Sequence, residues 1–309
     1  MKKILVVLIS IIFVPLSITN FFYEYKDNII KKGIITNDIS NATIRVLKKD
    51  NTVEKIDLEE YLIGVVSAEI PVYFEEEAIK AQAVAARTYA LKQMQNKKDS
   101  NFDVTDDTST QVYQSDQELR NKWNDKYDEY ISKIKKCVKE TDGQYLTYNN
   151  EIIYAFFFST SNGKTEDNKN VFGQDLPYLK IVDSSFDENE TSSFIVTKTF
   201  SLSEFYEKLG LSYNDYLNID NIIYTESNRV KSLSINNTDF SGRNFQKQLS
   251  LRSNDFTIKK EGESVVITTK GFGHGVGMSQ YGANALAKQN KTYDEILKYY
   301  YQGTNIQKL

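Results

Sequence analysis

The stretch GFGHGVGMSQYGANA, residues 271–285, places the single histidine of the chain among four glycines, each two positions from the next. Glycine at every second position leaves one side of the backbone bare, so another segment or a ligand can approach it closely. Met278 and Tyr281 are compatible with a following helix, which Ser279 could cap. We predict a close-packed glycine loop before a helix, with a neutral His274; a lone histidine is more often structural than functional.

Composition limits the classes of protein to which the chain can belong. Its 309 residues, 40% of them hydrophobic, are sufficient for a packed core, and the net charge of −4 gives no overall attraction to nucleic acid. The single cysteine, Cys137, excludes an internal disulfide framework and a cysteine cluster for zinc. The single histidine excludes a two-histidine metalloprotease motif. We expect neither a cofactor nor a metal site.

The N-terminus predicts a membrane anchor. Lysines at positions 2 and 3 precede about 20 largely apolar residues, enough to cross a bilayer as a helix. We therefore expect a transmembrane anchor over residues 1–23 and a tether over 24–41, with the rest of the chain outside the cytoplasm. A cleaved signal peptide is the alternative, although no small-residue cleavage site follows the apolar segment.

The folded part is predicted to cover residues 42–309 as an α+β domain with mixed helices and short strands, because strands and helices follow one another without a βαβ alternation. Region 180–265 is either a second lobe or part of the same body. Expected strands are TIRVLK, TVEKIDL, QYLTYNN with EIIYAFFFS as a hairpin turned at Asn149–Asn150, RVKSLSINN and ESVVITTK. Expected helices follow Asp57, cover EEEAIKAQAVAARTYALKQM, and lie near 116–139, 203–209, 279–289 and 293–301.

Glu69 is the sharpest catalytic candidate. It falls on the apolar stripe of the predicted helix that contains Leu62 and Val65, and Pro71 should end that helix at Ile70. Burial and the negative end of the helix dipole both disfavour the charged carboxylate. A carboxylic acid that stays protonated can protonate a glycosidic oxygen. The alternative is a frayed helix end with Glu69 in water.

Two further features favour a ligand site. Arg87 has no acidic partner at helical spacing, so its partner is distant in sequence, or is water or a ligand. The segment FFFSTSNGKTE, residues 156–166, passes from an aromatic strand into small polar residues, a common place for ligand contacts. The alternatives are a surface arginine lying over alanine and an ordinary capped turn.

These segments resemble the stage II sporulation protein D family, whose relatives include amidase-enhancing proteins of the bacterial cell wall. The glycine-histidine stretch is the most specific of them, and the resemblance covers nearly the whole chain beyond the tether. The other matching segments follow in the family's order: LEEYLIGVVSAEIP, AIKAQAVAARTYAL, TSTQVY, FSTSNGKTE, LPYLK, LSLRSNDFTI and ILKYYYQGTNI.

The resemblance implies a membrane-anchored lytic transglycosylase that cleaves peptidoglycan between MurNAc and GlcNAc during forespore engulfment, beside other engulfment proteins of the septal membrane. It implies a single-pass protein of the cell membrane with an extracytoplasmic catalytic domain. Glu69 matches the family's catalytic acid and base, and Phe158 stands where members often have histidine. Expected residues of the glycan-binding cleft are Arg87, Gln111, Ser161, Lys164, His274, Ser279, Gln280 and Tyr281.

Two other classes of function stay open. One is a non-catalytic peptidoglycan-binding module that activates a cell-wall amidase. The other is a muramidase with two carboxylates, in which Asp106, Asp107 or Glu166 would have to lie beside Glu69. A lytic transglycosylase needs one carboxylate, because the 6-hydroxyl of the sugar attacks its own anomeric carbon and no water has to be positioned.

Overall fold

The computed structural model describes residues 42–309 as a mixture of helices and small sheets, in agreement with an α+β fold. Within this range, the α-helices are α1 (Leu58–Glu69), α2 (Glu76–Asn96), α3 (Asp116–Trp123), α4 (Tyr127–Glu140), α5 (Asn168–Phe172), α6 (Leu202–Leu209), α7 (Gly242–Gln248), α8 (Gln280–Lys288) and α9 (Tyr293–Tyr300).

The strands form five small sheets. Their orders are β2-β1-β3, β10-β9-β8, β11-β12-β7, β13-β6 and β14-β4-β5, and β13 runs parallel to β6. The strands are β1 (Thr43–Leu47), β2 (Val53–Asp57), β3 (Val104–Thr105), β4 (Gln144–Tyr148), β5 (Glu151–Ile152), β6 (Phe157–Phe158), β7 (Ile195–Ser201), β8 (Ile219–Tyr224), β9 (Val230–Ile235), β10 (Thr238–Ser241), β11 (Phe256–Glu261), β12 (Ser264–Lys270), β13 (Met278–Ser279) and β14 (Asn305–Lys308).

Helix α1 begins and ends where the sequence predicts. The Asp57 carboxylate accepts hydrogen bonds from the backbone N–H groups of Glu59 and Glu60, which caps the helix. Ile70 precedes proline and is extended, with φ −116° and ψ 140°, so Glu69 is the last helical residue. The prediction that Glu69 lies at a helix end is therefore confirmed.

Helix α2 is the centre of one hydrophobic core. It packs against α1, α4, α8, α9 and β4. Its alanines are buried from Ala78 to Ala90, and their small side chains let these neighbours approach on several faces. This arrangement brings the end of α1 and the start of α8 to the same helix.

A second hydrophobic core lies between Phe200 and Ile267. It is formed by side chains of β7, α6, β9, α7, β11 and β12, among which Phe205, Phe245 and Val265 are fully buried. Residues 44–308 form one compact unit. The existence of a separate lobe over 180–265 stays a prediction.

The polar helix expected over 116–139 is two helices. A 3₁₀ turn, Asn124–Lys126, separates α3 from α4, and Asn124 has φ +48°. Asparagine adopts a positive φ more readily than most residues, and Asn124 ends α3. The hairpin expected at Asn149–Asn150 is confirmed, since both residues have positive φ and β4 pairs with β5.

The membrane prediction has to be corrected. In residues 42–309 no helix is long and apolar enough to cross a bilayer, so the structure gives a single-pass localisation no support. The expected anchor and tether, residues 1–23 and 24–41, lie outside the described residues.

Candidate active site

The Glu69 carboxyl is half-buried at the end of α1. Burial raises its pKa above the ordinary value for a glutamate, while hydrogen bonds from the Val112 backbone N–H and the Gln280 side chain act in the opposite direction. The Val112 N–H donates to Glu69 Oε1 at 2.9 Å. Burial prevails, so this carboxyl keeps its proton to a higher pH than an exposed glutamate does.

Two buried glutamine side chains, Gln280 and Gln82, lie in series next to the Glu69 carboxyl. Gln280, the first residue of α8, donates from Nε2 to Oε1 of Gln82 on α2 at 3.4 Å. Gln82 is fully buried, and its own Nε2 has no hydrogen-bond partner among residues 42–309. Because the Gln82 oxygen accepts from Gln280, the NH₂ group of Gln280 is fixed on the side that also faces Glu69.

Ser279 and Ser161 are buried, and their polar groups are used within the protein. The Ser279 hydroxyl caps α8 by accepting from the Gly282 N–H at 3.2 Å, and it donates to the Asp187 carboxylate. The Ser161 N–H donates to Asp187 Oδ2 at 2.7 Å, and its hydroxyl donates to the Ser184 carbonyl. We interpret both serines as residues that position the start of α8, not as direct glycan ligands.

Asp187 is a functional candidate that the sequence analysis missed. It is fully buried in the 3₁₀ turn Ser185–Asn189 and joins that turn to Ser161 and to the cap of α8. Burial raises its pKa in spite of the hydrogen bonds that it accepts. An aspartate in the polar run SSFDEN carries no sequence signal that separates it from an exposed residue.

Aromatic side chains lie beside Gln280. Tyr281 packs edge-on against Phe74 at 4.9 Å between ring centroids, and its hydroxyl lies 3.4 Å from that of Tyr73. Tyr73 is 72% exposed. An exposed ring of this kind offers a flat apolar face next to a hydroxyl, which suits stacking on a sugar.

Arg87 lies away from Glu69. Its fully buried guanidinium binds the Glu59 carboxylate with two hydrogen bonds of 2.6 Å and donates to the Gln144 carbonyl at 3.0 Å. Glu59 is ten residues before Glu69 on α1, which corresponds to about 15 Å along the helix. The partner of Arg87 is therefore an acid of the protein that is distant in sequence, which is one of the possibilities predicted from the sequence. We interpret Arg87 as a structural residue.

Gln111 and Lys164 differ in their surroundings. Gln111 is buried next to Val112; its Nε2 donates to the Ala86 carbonyl at 3.3 Å, and its Oε1 accepts from the Tyr61 hydroxyl at 3.4 Å. It therefore supports the backbone that binds Glu69. Lys164 is exposed on the loop after β6, where its side chain is free to contact a ligand.

His274 is half-buried among aromatic rings. Its ring lies 5.7 Å from that of Phe158 and 5.5 Å from that of Phe172. Burial and the positive charges of Arg243 and Arg229 lower its pKa to about 4. The imidazole is neutral, as predicted, and Nδ1 accepts from the Val276 N–H at 3.0 Å.

The glycine spacing around His274 has a steric cause. Gly275 has φ +85°, and a Cβ there would lie 2.6 Å from the guanidinium carbon of Arg229, which is almost fully buried. A Cβ on Gly277 would lie 1.9 Å from the Phe156 carbonyl oxygen. The close approach predicted from the glycine spacing is therefore confirmed. The groups that approach Gly275 and Gly277 belong to the protein: they are the Arg229 guanidinium and the Phe156 carbonyl.

The three carboxylates considered as second acids have other partners. Glu166 is buried and accepts from Thr225, Ser227 and Asn170 side chains and from the Asp167 N–H. Asp107 accepts from Ser109 and Thr105, and Asp106 from the Lys49 N–H. The pKa shift of Glu69 is caused by burial and by two hydrogen bonds, and the charge of another acid of residues 42–309 is not among its causes.

The described residues contain no group of side chains that could hold a metal ion. Among residues 42–309 no three His, Cys, Asp or Glu side chains are grouped as metal ligands. Cys137 is buried in α4, where burial raises its pKa to about 11.

Comparison with known proteins identifies the relatives of the chain. Residues 47–148 match the family model described as Stage II sporulation protein. The chain is 44% identical over 281 residues to Stage II sporulation protein D of Bacillus subtilis, covering 89% of this chain and 82% of that protein. It is 43% identical to the protein of that name from Bacillus amyloliquefaciens, covering 86% of this chain and 79% of the relative. A more distant relative, the amidase enhancer of Bacillus subtilis, is 30% identical over 79% of this chain and 40% of its own length.

The two relatives named Stage II sporulation protein D are more than 40% identical to the chain and are covered over more than three quarters of their length. The chain therefore belongs to the stage II sporulation protein D family.

Proposed function

We propose that the chain is a peptidoglycan lytic transglycosylase of sporulation, active during forespore engulfment, with Glu69 as its only catalytic carboxyl. The observation that carries this proposal is the half-buried Glu69 carboxyl at the end of α1, whose pKa burial raises. A two-carboxylate glycosidase needs its second acid within about 5–10 Å of the first. A lytic transglycosylase needs no second acid, because a hydroxyl of the sugar itself is the nucleophile.

In the proposed reaction, Glu69 donates its proton to the glycosidic oxygen between MurNAc and GlcNAc as the bond from that oxygen to the MurNAc anomeric carbon breaks. The 6-hydroxyl of the same MurNAc attacks the anomeric carbon and passes its proton to the Glu69 carboxylate. The products are a 1,6-anhydro-MurNAc end and a new GlcNAc end, and the acid is regenerated. The attack is intramolecular, so its effective molarity is high.

The neighbouring residues have distinct proposed roles. Gln280 donates to the Glu69 carboxylate form, and the exposed ring of Tyr73 with Tyr281 binds a sugar face. Peptidoglycan strands are the proposed substrate, and other engulfment proteins are the proposed partners.

The experiment is a product analysis by mass spectrometry on defined glycan strands. Glu69→Gln keeps the shape of the side chain but cannot exchange a proton, so we expect activity to fall by about 10²- to 10⁴-fold while glycan binding persists. Glu60→Gln, an exposed position on the same helix, is the matched control and should keep wild-type activity. Reducing-end products from the wild type, or near wild-type cleavage by Glu69→Gln, would refute the assignment.

A second function is favoured by the similarity to an amidase enhancer. In that alternative the chain binds peptidoglycan without shortening it and stimulates a cell-wall amidase. Two results together would support this alternative over the transglycosylase. The wild-type chain alone would cleave no glycan, and it would stimulate peptide release by an added amidase to the same extent as the Glu69→Gln variant.

A further inference from the structure

An unpaired arginine lies on an exposed aromatic ring in the glycine loop. The guanidinium carbon of Arg252 is 4.5 Å from the centroid of Phe272, and Phe272 is 46% exposed. Arg252 is half-buried, its Nε is buried without an acceptor, and its guanidinium forms no ion pair in the part of the chain that the structure describes. Its segment, LSLRSNDFTI, has no role in the mechanism above.

The nearest acid in sequence does not neutralise this charge. Asp255 accepts from the Asn162 side chain at 2.7 Å, and the positive charge that acts on it is that of Arg229 and Lys270. No acid among the described residues forms an ion pair with this guanidinium, and because Arg252 is only half-buried, part of its side chain stays open to an anionic group of a ligand.

The place of this arginine in the fold is next to the proposed cleft. Phe272 exchanges two backbone hydrogen bonds with Thr160, of 2.7 and 3.0 Å. Two residues earlier in that segment, Phe158 pairs with Ser279, which caps the helix carrying Gln280. Phe272 and the strand that leads to Gln280 therefore both pair with the segment that runs from Phe157 to Thr160.

We propose that Arg252 and Phe272 form a subsite for a carboxylate-bearing sugar unit of the substrate. The exposed part of the Phe272 ring packs on the sugar, and the Arg252 guanidinium binds the carboxylate through two parallel hydrogen bonds, the geometry that arginine favours. This inference rests on the proposed function, since it takes the glycan strand as the ligand. The carboxylate belongs either to the lactyl group of peptide-free muramic acid or to a stem peptide.

The test measures binding to full-length protein carrying Glu69→Gln, so that the probe is not consumed. The probes are a neutral N-acetylglucosamine oligomer, a peptide-free muramic-acid glycan of equal length, and the same glycan with stem peptides. Calorimetry gives the dissociation constant of each. Arg252→Gln, Phe272→Ala and the control Lys259→Gln are compared, since Lys259 is an exposed cation on β11.

Arg252→Gln should weaken binding of a carboxylate-bearing glycan about 10-fold or more and change binding of the neutral oligomer less than twofold. Phe272→Ala should weaken all three probes, and Lys259→Gln none. A loss confined to the peptide-bearing glycan identifies the stem peptide as the carboxylate source, and a loss confined to the peptide-free glycan identifies the lactyl group, whose carboxyl is amide-linked when a stem peptide is attached. A loss on both charged glycans means that the subsite accepts either carboxylate.

Equal effects of Arg252→Gln on neutral and charged probes, or no effect, would overturn the subsite. The proposed reaction fails separately, when the wild type yields no anhydro product, and that result leaves the binding ratios unaffected. Circular dichroism confirms that each variant is folded.

Discussion

Glu69 depends on a neighbour that touches no substrate in the proposed mechanism. Gln82 is fully buried and holds the amide of Gln280 in the orientation that lets it donate to the carboxylate. The sequence indicated Glu69 from the apolar stripe and Gln280 from the family signature. It could not indicate Gln82, because a glutamine among alanines on a helix has the pattern of a surface residue.

Gln82→Leu should move the pH profile of kcat/KM. The hydrogen bond from Gln280 favours the charged carboxylate and so lowers the Glu69 pKa; without Gln82 this bond weakens and the pKa rises. Since the protonated form of Glu69 is the acid, activity is lost as pH rises through that pKa, and the alkaline limb should shift to higher pH. Rates measured between pH 5 and 9 check this.

The matched comparison is Gln280→Leu. It should shift the same limb in the same direction, and the double variant should shift it no further, since both residues act through one hydrogen bond. An alkaline limb that stays in place in Gln82→Leu means that Gln82 only fills space.

At the scale of elements, the helices with clear boundaries were predictable. The apolar period, the Asp57 cap and the proline after Ile70 define α1, and paired asparagines define the turn between β4 and β5. The break between α3 and α4 was not predictable, because Asn124 is one polar residue in a polar run and nothing in that run indicates which residue takes a positive φ.

The glycine loop gives a prediction about close packing. Gly275→Val should lower activity and stability more than His274→Gln, because its Cβ would displace the guanidinium of Arg229. That guanidinium donates to Ser227 at 2.8 Å, and Ser227 in turn holds Glu166 at 2.6 Å. His274→Gln replaces a neutral ring and leaves these contacts in place. Turnover and urea unfolding of both variants check the order.

Gly163→Ala is the control for backbone strain alone. Gly163 also has positive φ, +110°, but a Cβ there meets nothing within 4 Å. We expect it to lose about 1–2 kcal/mol, the cost of a left-handed residue, and Gly275→Ala to lose clearly more. If His274→Gln is the more damaging change in folded protein, the imidazole takes part in the reaction directly.

At the scale of the whole molecule, one ion pair connects four elements. Arg87 on α2 binds Glu59 on α1 and also the carbonyls of Val138 on α4 and Gln144 on β4. Arg87 has no acid at helical spacing in the sequence, and its partner was not predictable because the pairing depends on how α1 packs against α2. The same limit applies to Ser161, Ser279 and Asp187, whose contacts join distant segments.

Removal of Glu59 should therefore destabilise the fold more than removal of Arg87. Glu59→Ala leaves a fully buried guanidinium without its countercharge, with an expected loss of about 3–5 kcal/mol. Arg87→Met leaves a carboxylate whose side chain is 31% exposed and can be hydrated, so its loss should be smaller. Urea denaturation gives both values, and KM for glycan should be unchanged in the folded fraction of Arg87→Met. A raised KM in Arg87→Met, with unaltered stability, would instead indicate that Arg87 binds the glycan.

Cys137, the single cysteine, provides a chemical reporter of the fold. A thiol with a pKa of about 11, enclosed in α4 where it packs on α2, reacts slowly with alkylating reagents until these helices separate. The labelling rate of the native chain therefore measures how often this core opens, at one site and without an engineered tag. Each substitution above can be examined in this way, and one that slows cleavage without accelerating alkylation has acted on the chemistry and not on the fold.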